Sequence, residues 1–424
     1  MNVVFFALVA FAFFAALLGF AEQWAAGDLA AASAVPAAVG KAALDSAKSS
    51  VELAIGLVGS ITLFLGLMRV VEEGGGLKLM ARVIRPLLVL LFPDVPPDHP
   101  AMGAIILNLA ANALGLGNAA TPFGLKAMKE LEGLNQQPGT ATDAMVRFLA
   151  INTSGVALLP TGVIGLRALK GAANPADIFP TTLFATGCST LAAILMTAVL
   201  ARLTVFRKPA EQATADAAVK AEAKPVALLD FVPLVIFFGV LAGLVAAVYF
   251  ANELASAWIM PGLIMGMLTF GVVRKVKVYE VFITGAREGF GMAIGIIPYL
   301  VGILSAVGML RASGGLQAIV RLFSPLTEAV GMPAEVLPLA LLRPLSGSGA
   351  FALTAELVDT HGPDSLIGTL ACTMNGSTET TFYVLAVYFG SVGIKNSRHA
   401  LPAGLFADLV GALASVVAVH WLLG

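Results

Sequence analysis

Ionisable side chains inside apolar sequence are the residues of this chain best suited to chemistry. Glu379 stands in the string NGSTET, residues 375–380, Asp408 lies well inside the last apolar run, and Arg343 opens a short polar stretch. An ionisable residue at membrane depth is costly and by default indicates a functional site. Glu379 is therefore predicted to contact substrate or a coupling ion, and Asp408 is a weaker coupling candidate. Alternatively, Glu379 forms a structural ion pair with Arg343, whose guanidinium could also bind a carboxylate or phosphate bidentately.

Polar interruptions of apolar segments supply the remaining candidate residues. Four interruptions occur, at residues 115–121, 152–155, 346–349 and 375–380. A helix broken in hydrocarbon leaves backbone groups that protein, water or ligand must satisfy, so such breaks favour a binding site. The alternative is close helix packing through small residues. The predicted substrate-binding residues are Gly117, Asn118, Thr121, Asn152, Thr153, Ser154, Arg343, Ser346, Ser348, Asn375, Ser377, Thr378 and Glu379.

Composition places the chain in a membrane. Its 424 residues are 58% apolar and only 12% charged, and the mean hydropathy is +0.91. A soluble globular domain does not have this composition. The net charge of −1 gives no indication of a nucleic-acid partner. Membrane lipid and a small polar solute are the expected partners, in a homo-oligomer.

Apolar runs of about 20 residues can cross a bilayer. The sequence predicts an all-α polytopic membrane protein with about nine spanning helices, near 3–20, 44–71, 143–167, 178–203, 228–250, 255–273, 281–310, 364–393 and 399–423. Residues 101–131 and 334–359 are pairs of shorter apolar helices and are predicted to be re-entrant hairpins. Residues 77–92 and 316–330 are amphipathic, as interfacial helices are. The Ala/Glu/Lys-rich stretch 204–227 is predicted to be a cytoplasmic linker between two halves, 1–203 and 228–424.

The chain contains an internal repeat. Gly75-Gly76-Leu77 reappears as Gly314-Gly315-Leu316, and residues 151–154 match 374–377. Five crossings separate equivalent points, an odd number, so the two repeats are predicted to be inverted. Lys and Arg collect on one side of this topology, which predicts a cytoplasmic N-terminus in a bacterial inner membrane.

Several function classes lack support in the sequence. There is no phosphate-binding loop of the form G-x-x-x-x-G-K-[ST], no H-E-x-x-H metal motif and no Ser-His-Asp or Cys-His grouping. We therefore expect no enzyme activity, no resident cofactor and no metal site, apart from a coupling Na⁺ or H⁺.

Two long strings resemble known families. The segments ALDSAKSSVELAIGLVGSITLFLGLMRVVEEGGGL and NALGLGNAATPFGLKAM resemble the spore maturation protein A family, and MNGSTETTFYVLAVYFGSVGIKNSRHAL resembles the spore maturation protein B family. The resemblance covers nearly the whole chain and implies a fusion of the two. Each half resembles the nucleoside-recognition Gate domain, which implies two hairpins, two unwound helices and elevator-like movement against a scaffold. The hairpin 1 tip lacks the Gln/Glu with which concentrative nucleoside transporters hold the nucleoside.

These observations predict a secondary transporter of a small polar solute, nucleoside-like or other, coupled to H⁺ or Na⁺. The alternative is a non-transporting membrane scaffold or a factor in envelope or spore maturation.

Overall fold

A computed structural model describes residues 2–114, 120–155, 158, 160–203, 206, 228–295 and 297–422. The predicted linker 204–227 lies outside these residues except for Phe206, and so do Gly117 and Asn118 of the first hairpin tip. Most of the described residues are helical, and beyond one isolated bridge between Thr140 and Asn396 they form no strand, which confirms the all-α polytopic class. The first half contains α1 (Asn2–Ala25), α2 (Leu29–Glu73), α3 (Gly76–Leu91), α4 (Pro100–Ala113), α5 (Thr121–Glu132), α6 (Asp143–Thr153), α7 (Thr161–Leu169) and α8 (Phe179–Leu200).

The second half repeats the order of the first. It contains α9 (Val232–Val273), α10 (Val278–Gly295), α11 (Ile297–Ala312), α12 (Gly315–Glu328), α13 (Leu337–Leu342), α14 (Gly347–His361), α15 (Leu366–Ser377), α16 (Thr381–Ser391) and α17 (Ala400–Leu422). Short 3₁₀ turns at Leu228–Phe231 and Ala334–Val336 precede α9 and α13. Helix α2 therefore corresponds to α10 with α11, α3 to α12, the pair α4–α5 to α13–α14, and α6, α7 and α8 to α15, α16 and α17.

Helix lengths refine the predicted spans. Three of the described helices are long and apolar enough to cross a membrane, at Phe5–Ala25, Phe179–Leu200 and Ala400–Trp421. From residue 232 onwards, the runs predicted separately at 228–250 and 255–273 lie in the single helix α9. Conversely, the runs 143–167 and 364–393 are each divided into two shorter helices, α6 with α7 and α15 with α16. A polar interruption divides both runs, as the sequence predicted.

Antiparallel contacts between equivalent helices show that the repeats are inverted. Helix α8 packs along α17, and Ser189 Oγ donates to the Ala407 carbonyl at 2.9 Å. Beyond the end of α8, the carbonyl of Phe206 accepts a hydrogen bond from Arg398, which lies before the start of α17, so the two helices run in opposite directions. Helix α2 runs past α11 and α10 in the same way, because Gly308 approaches Ser46 and Gly289 approaches Thr62. Equivalent elements of the two repeats thus point in opposite directions.

The two interfacial helices begin in the same way in both repeats. Gly75 precedes α3 with a φ of +83°, and Gly314 precedes α12 with a φ of +76°. Only glycine enters this left-handed region without steric cost. The repeated Gly-Gly-Leu string therefore encodes one turn, used twice.

Two buried arginines join the repeats at opposite ends of the fold. Arg167, which is fully buried at the end of α7, donates to Asp177 at 2.8 Å and to Asp364 of the other repeat at 2.9 Å. Arg398, which precedes α17, donates to Asp143 at the start of α6 at 2.7 Å. We name these contacts the Arg167 clamp and the Arg398 clamp. Each one tethers the broken helix of one repeat to the other repeat.

Candidate functional site

Both broken helices are interrupted at the same place in space. The gap between α6 and α7 follows Thr153, and the gap between α15 and α16 comprises residues 378–380. The backbone N–H of Glu379 donates to the carbonyl of Thr153 at 2.8 Å, so a group freed by one break satisfies a group freed by the other. We name this contact region, residues 152–155 with 375–380, the crossing.

Gly155 permits the close approach at the crossing. Its φ is +93°, and a Cβ atom built on it would lie 2.6 Å from the Ser377 carbonyl oxygen and 2.9 Å from the Thr378 Cα. Any side chain at this position would therefore push the two broken helices apart.

Hairpin 1, formed by α4 and α5, ends against the first break. Asn112 Nδ2 donates to Asn152 Oδ1 at 2.8 Å, and the backbone N–H of Leu158 donates to the Ala113 carbonyl at 3.0 Å. The Asn152 amide also donates to the Phe148 carbonyl at 2.8 Å, so its polar groups are used within the protein. Thr121, at the start of α5, is half-buried.

Hairpin 2, formed by α13 and α14, ends against the second break. Arg343 Nη1 donates to Thr380 Oγ1 at 3.1 Å, and its Nη2 donates to the Thr378 carbonyl. The backbone N–H of Phe382 donates to the Pro344 carbonyl at 3.0 Å. Arg343 is buried, and its Nε has no hydrogen-bond partner among the described residues. The guanidinium thus holds the unwound segment in place and keeps one donor unused.

Glu379 differs from the sequence-based expectation. We expected a desolvated carboxylate, whereas the Glu379 side chain is 50% exposed. Its Oε2 lies 3.9 Å from Arg343 Nη2, a loose ion pair without a hydrogen bond. The expectation failed because the break turns residue 379 outward while its neighbours Thr378 and Thr380 stay buried. The carboxylate is consequently available to a ligand or an ion.

Asp408 is the buried acid beside the crossing. Thr381 Oγ1 donates to its Oδ2 at 2.6 Å, and Oδ1 has no partner within the described part of the chain. Sequence reasoning ranked Asp408 below Glu379 because only its position in an apolar run was visible. It gave no role to Thr381, which the fold places against Asp408.

The two repeats differ at their matched asparagines. Asn152 is hydrogen-bonded on both sides of its amide, whereas the side chain of Asn375, also buried, forms no hydrogen bond with any described residue. Ser346 caps α14 by accepting from the Gly349 N–H at 3.0 Å, and Ser348 in the same turn is half-buried. Close to the crossing, Arg343, Asn375 and Asp408 of the second repeat therefore keep polar groups that no described residue pairs with.

Hydroxyl side chains of α8 and α17 contact the crossing. Ser154 Oγ contacts Thr190 Oγ1 at 2.9 Å, Thr186 donates to the Ser154 carbonyl, and Ser377 Oγ lies 3.4 Å from Ser415 Oγ. Thr153 and Ser377 also donate to carbonyls of their own helices. Sequence reasoning overlooked α8, although its hydroxyl residues recur at helical spacing at 182, 186, 189 and 190.

The fold and the site define a class: a polytopic membrane protein of two inverted repeats, each with a hairpin whose end contacts a broken helix. The model of the Gate family, described as nucleoside recognition, matches residues 54–170 and 293–395, a little over half of the chain. The chain belongs to this family, which is a transporter-type family rather than an enzyme family.

Two curated relatives from Bacillus subtilis (strain 168) are similar to parts of the chain. Spore maturation protein B is 51% identical over 173 residues, which cover 41% of this chain and 97% of that protein. Spore maturation protein A is 44% identical over 158 residues, which cover 37% of this chain and 81% of that protein. The similarity to both families predicted from the sequence is confirmed.

Proposed function

We propose that the protein is a secondary transporter of a small polar solute, with the crossing and the two hairpin ends as its binding site. One observation carries the proposal: both hairpins and both broken helices of two inverted repeats meet at one place and leave polar groups unused there. In transporters with inverted repeats, the substrate site lies where broken helices meet near the middle of the membrane. A scaffold without a ligand would have no use for these unpaired groups, because each one costs free energy when buried.

The unused groups favour a solute with both donors and acceptors. Arg343 offers its Nε–H, Glu379 offers carboxylate oxygens, and Asn375 offers both a carbonyl oxygen and an amide. One cation, one anion and one amide suit a neutral solute rich in hydroxyl and ring nitrogen groups. A nucleoside has this chemistry, and the description of the matched family, nucleoside recognition, supports that choice.

Ion coupling is proposed at the two acids. Glu379 is exposed at the crossing and could bind Na⁺ or a proton together with the solute. Asp408 is buried, and its free Oδ1 would become a hydrogen-bond donor when protonated. Either event changes which arrangement of the broken helices is favoured, as coupling to a gradient requires.

The moving part is proposed to comprise α4–α8 and α13–α17. The crossing, the Arg167 clamp and the Arg398 clamp tie these helices together. Helices α2, α10 and α11 pack on one another and would be the scaffold against which this unit slides in an elevator-type movement. The bacterial inner membrane, a cytoplasmic N-terminus and a homo-oligomer complete the proposal, on the Lys/Arg asymmetry and the resemblance to transporters.

Reconstituted protein tests the proposal. Binding of tritiated uridine and adenosine is measured on the purified full chain, and uptake is then measured in proteoliposomes under imposed Na⁺ and pH gradients. We expect gradient-driven uptake of at least one nucleoside, lost in Glu379→Gln and in Asp408→Asn. The control is Glu280→Gln, an exposed acid at the start of α10 whose ion pair among the described residues is with Lys277.

Two negative results have different meanings. Uptake that needs no gradient and is unchanged in both acid variants would contradict the coupling roles and leave the site intact. No binding and no uptake of either nucleoside would contradict nucleoside transport and favour the scaffold alternative.

A further inference from the structure

A cavity lies away from the crossing, between hairpin 2 and helices α1, α11 and α12. Its volume is about 270 Å³, and most of its wall is apolar. Leu341, Leu345 and Leu353 of the hairpin face Leu310 and Leu8 across it. Small-ligand pockets typically have volumes of about 300–1,000 Å³. This cavity can therefore hold one apolar arm of a larger molecule whose remainder lies outside.

Charged residues are gathered at one end of the cavity. Arg311 in the last turn of α11 forms an ion pair with Glu356 of α14, and Glu335 lies at the entrance of hairpin 2. Arg311 remains 45% exposed, and Glu356 Oε2 is buried without a hydrogen-bond partner among the described residues. Glu335 forms no ion pair within the described part of the chain. Two carboxylates and one guanidinium thus line this part of the cavity.

The positions of these residues on their helices distinguish the two ends of the cavity. Arg311 and Glu335 lie at helix ends, while Leu345 and Leu353 lie towards the tip of hairpin 2. One end of the cavity therefore carries the charged residues, and the other is lined by leucines. A lipid has the same polarity along its length.

We propose that this cavity binds one acyl chain of a phospholipid whose headgroup carries a primary amine. The acyl chain fills the leucine-lined part, where apolar surface gains most from leaving water. The headgroup ammonium is placed against Glu335, beside the Arg311–Glu356 ion pair, and the phosphate against the exposed side of Arg311. A lipid with a purely anionic headgroup would satisfy Arg311 and be repelled by both carboxylates. The proposal does not depend on transport.

Headgroup selectivity is tested by native mass spectrometry of the full chain in detergent. The probes are phosphatidylethanolamine and phosphatidylglycerol with identical acyl chains. We expect phosphatidylethanolamine to be retained about fivefold more strongly, the effect of one partly exposed charge pair. Glu335→Gln should remove this preference, and Glu280→Gln, an acid outside the cavity, should retain it. Equal retention of the two lipids by the unmodified protein would overturn the proposal.

The location is tested by crosslinking with phosphatidylethanolamine that carries a diazirine in one acyl chain. Label is expected on peptides covering residues 307–317 and 334–361. Leu345→Trp fills the cavity and should remove this label, whereas Leu195→Trp, on the exposed face of α8, should not. If Leu345→Trp does not fold, the set of labelled peptides in the unmodified protein tests the location of the site. Label spread evenly over the apolar surfaces of α8 and α17, which lie outside the cavity, would refute the site.

Discussion

Replacing Gly155 with alanine should separate the two broken helices. The new Cβ would lie 2.6 Å from the Ser377 carbonyl oxygen and 2.9 Å from the Thr378 Cα. Both atoms belong to backbone, so no side-chain rotation relieves the overlap. The φ of +93° adds a second cost, because alanine is disfavoured in the left-handed region.

The magnitude follows from these two effects. Left-handed backbone costs a non-glycine residue roughly 1–2 kcal/mol, and overpacking in a filled interior costs roughly 1–3 kcal/mol. Gly155→Ala should therefore lower the free energy of unfolding by about 2–5 kcal/mol. Two other glycines separate the contributions. Gly171 has a φ of +75° with open space around it, and Gly187 has open space within the helix α8.

The assay is thermal unfolding of the detergent-solubilised full chain, with all variants heated at one scan rate because unfolding of such proteins is often irreversible. Gly187→Ala should be neutral or slightly stabilising, since alanine favours a helix by up to about 1 kcal/mol over glycine. Gly171→Ala should unfold at a lower temperature than the unmodified protein, and Gly155→Ala at the lowest. Equal unfolding temperatures for the variants at 155 and 171 would refute the backbone contact at the crossing.

Three further predictions concern other parts of the fold, and all are checked by the same unfolding measurement. Arg167→Gln should lower the free energy of unfolding by about 3 kcal/mol, because it leaves two carboxylates without their buried cation. The control Arg85→Gln, in an exposed ion pair, should change that free energy by less than about 1 kcal/mol. Thr381→Val should lower the free energy of unfolding by about 1–3 kcal/mol, because it removes the one hydrogen bond that the described residues show for Asp408. An unchanged unfolding temperature would contradict that hydrogen bond. Burial beside a cation lowers the pKa of His399, just before the apolar span of α17, from 6.5 to about 4. As the pH decreases, the unfolded chain therefore binds this proton at a higher pH than the folded chain does. The free energy of unfolding falls by up to about 3 kcal/mol between about pH 6.5 and pH 4. His399→Gln should flatten this part of the dependence of stability on pH.

The membrane class, the repeat and the break positions could be predicted from the sequence alone. Long apolar runs have no other stable setting, so composition decided the class. The repeated Gly-Gly-Leu string at 75–77 and 314–316 decided the pairing of elements, because both glycines make the same left-handed turn. Polar strings at 152–155 and 375–380 decided where the spanning runs divide, since an uninterrupted helix would leave their hydroxyl and amide groups among apolar neighbours.

Only the tertiary structure decided which polar groups are used and which remain free. Asn152 and Asn375 occupy matching places in the sequence, yet Asn152 pairs with Asn112 whereas Asn375 pairs with no described residue. Glu379 was expected to be buried and Asp408 to be secondary, and the fold exposes the first and buries the second. Burial and pairing depend on neighbours from distant parts of the chain, brought together by the inverted packing of the two repeats. No local pattern in the sequence encodes those distances.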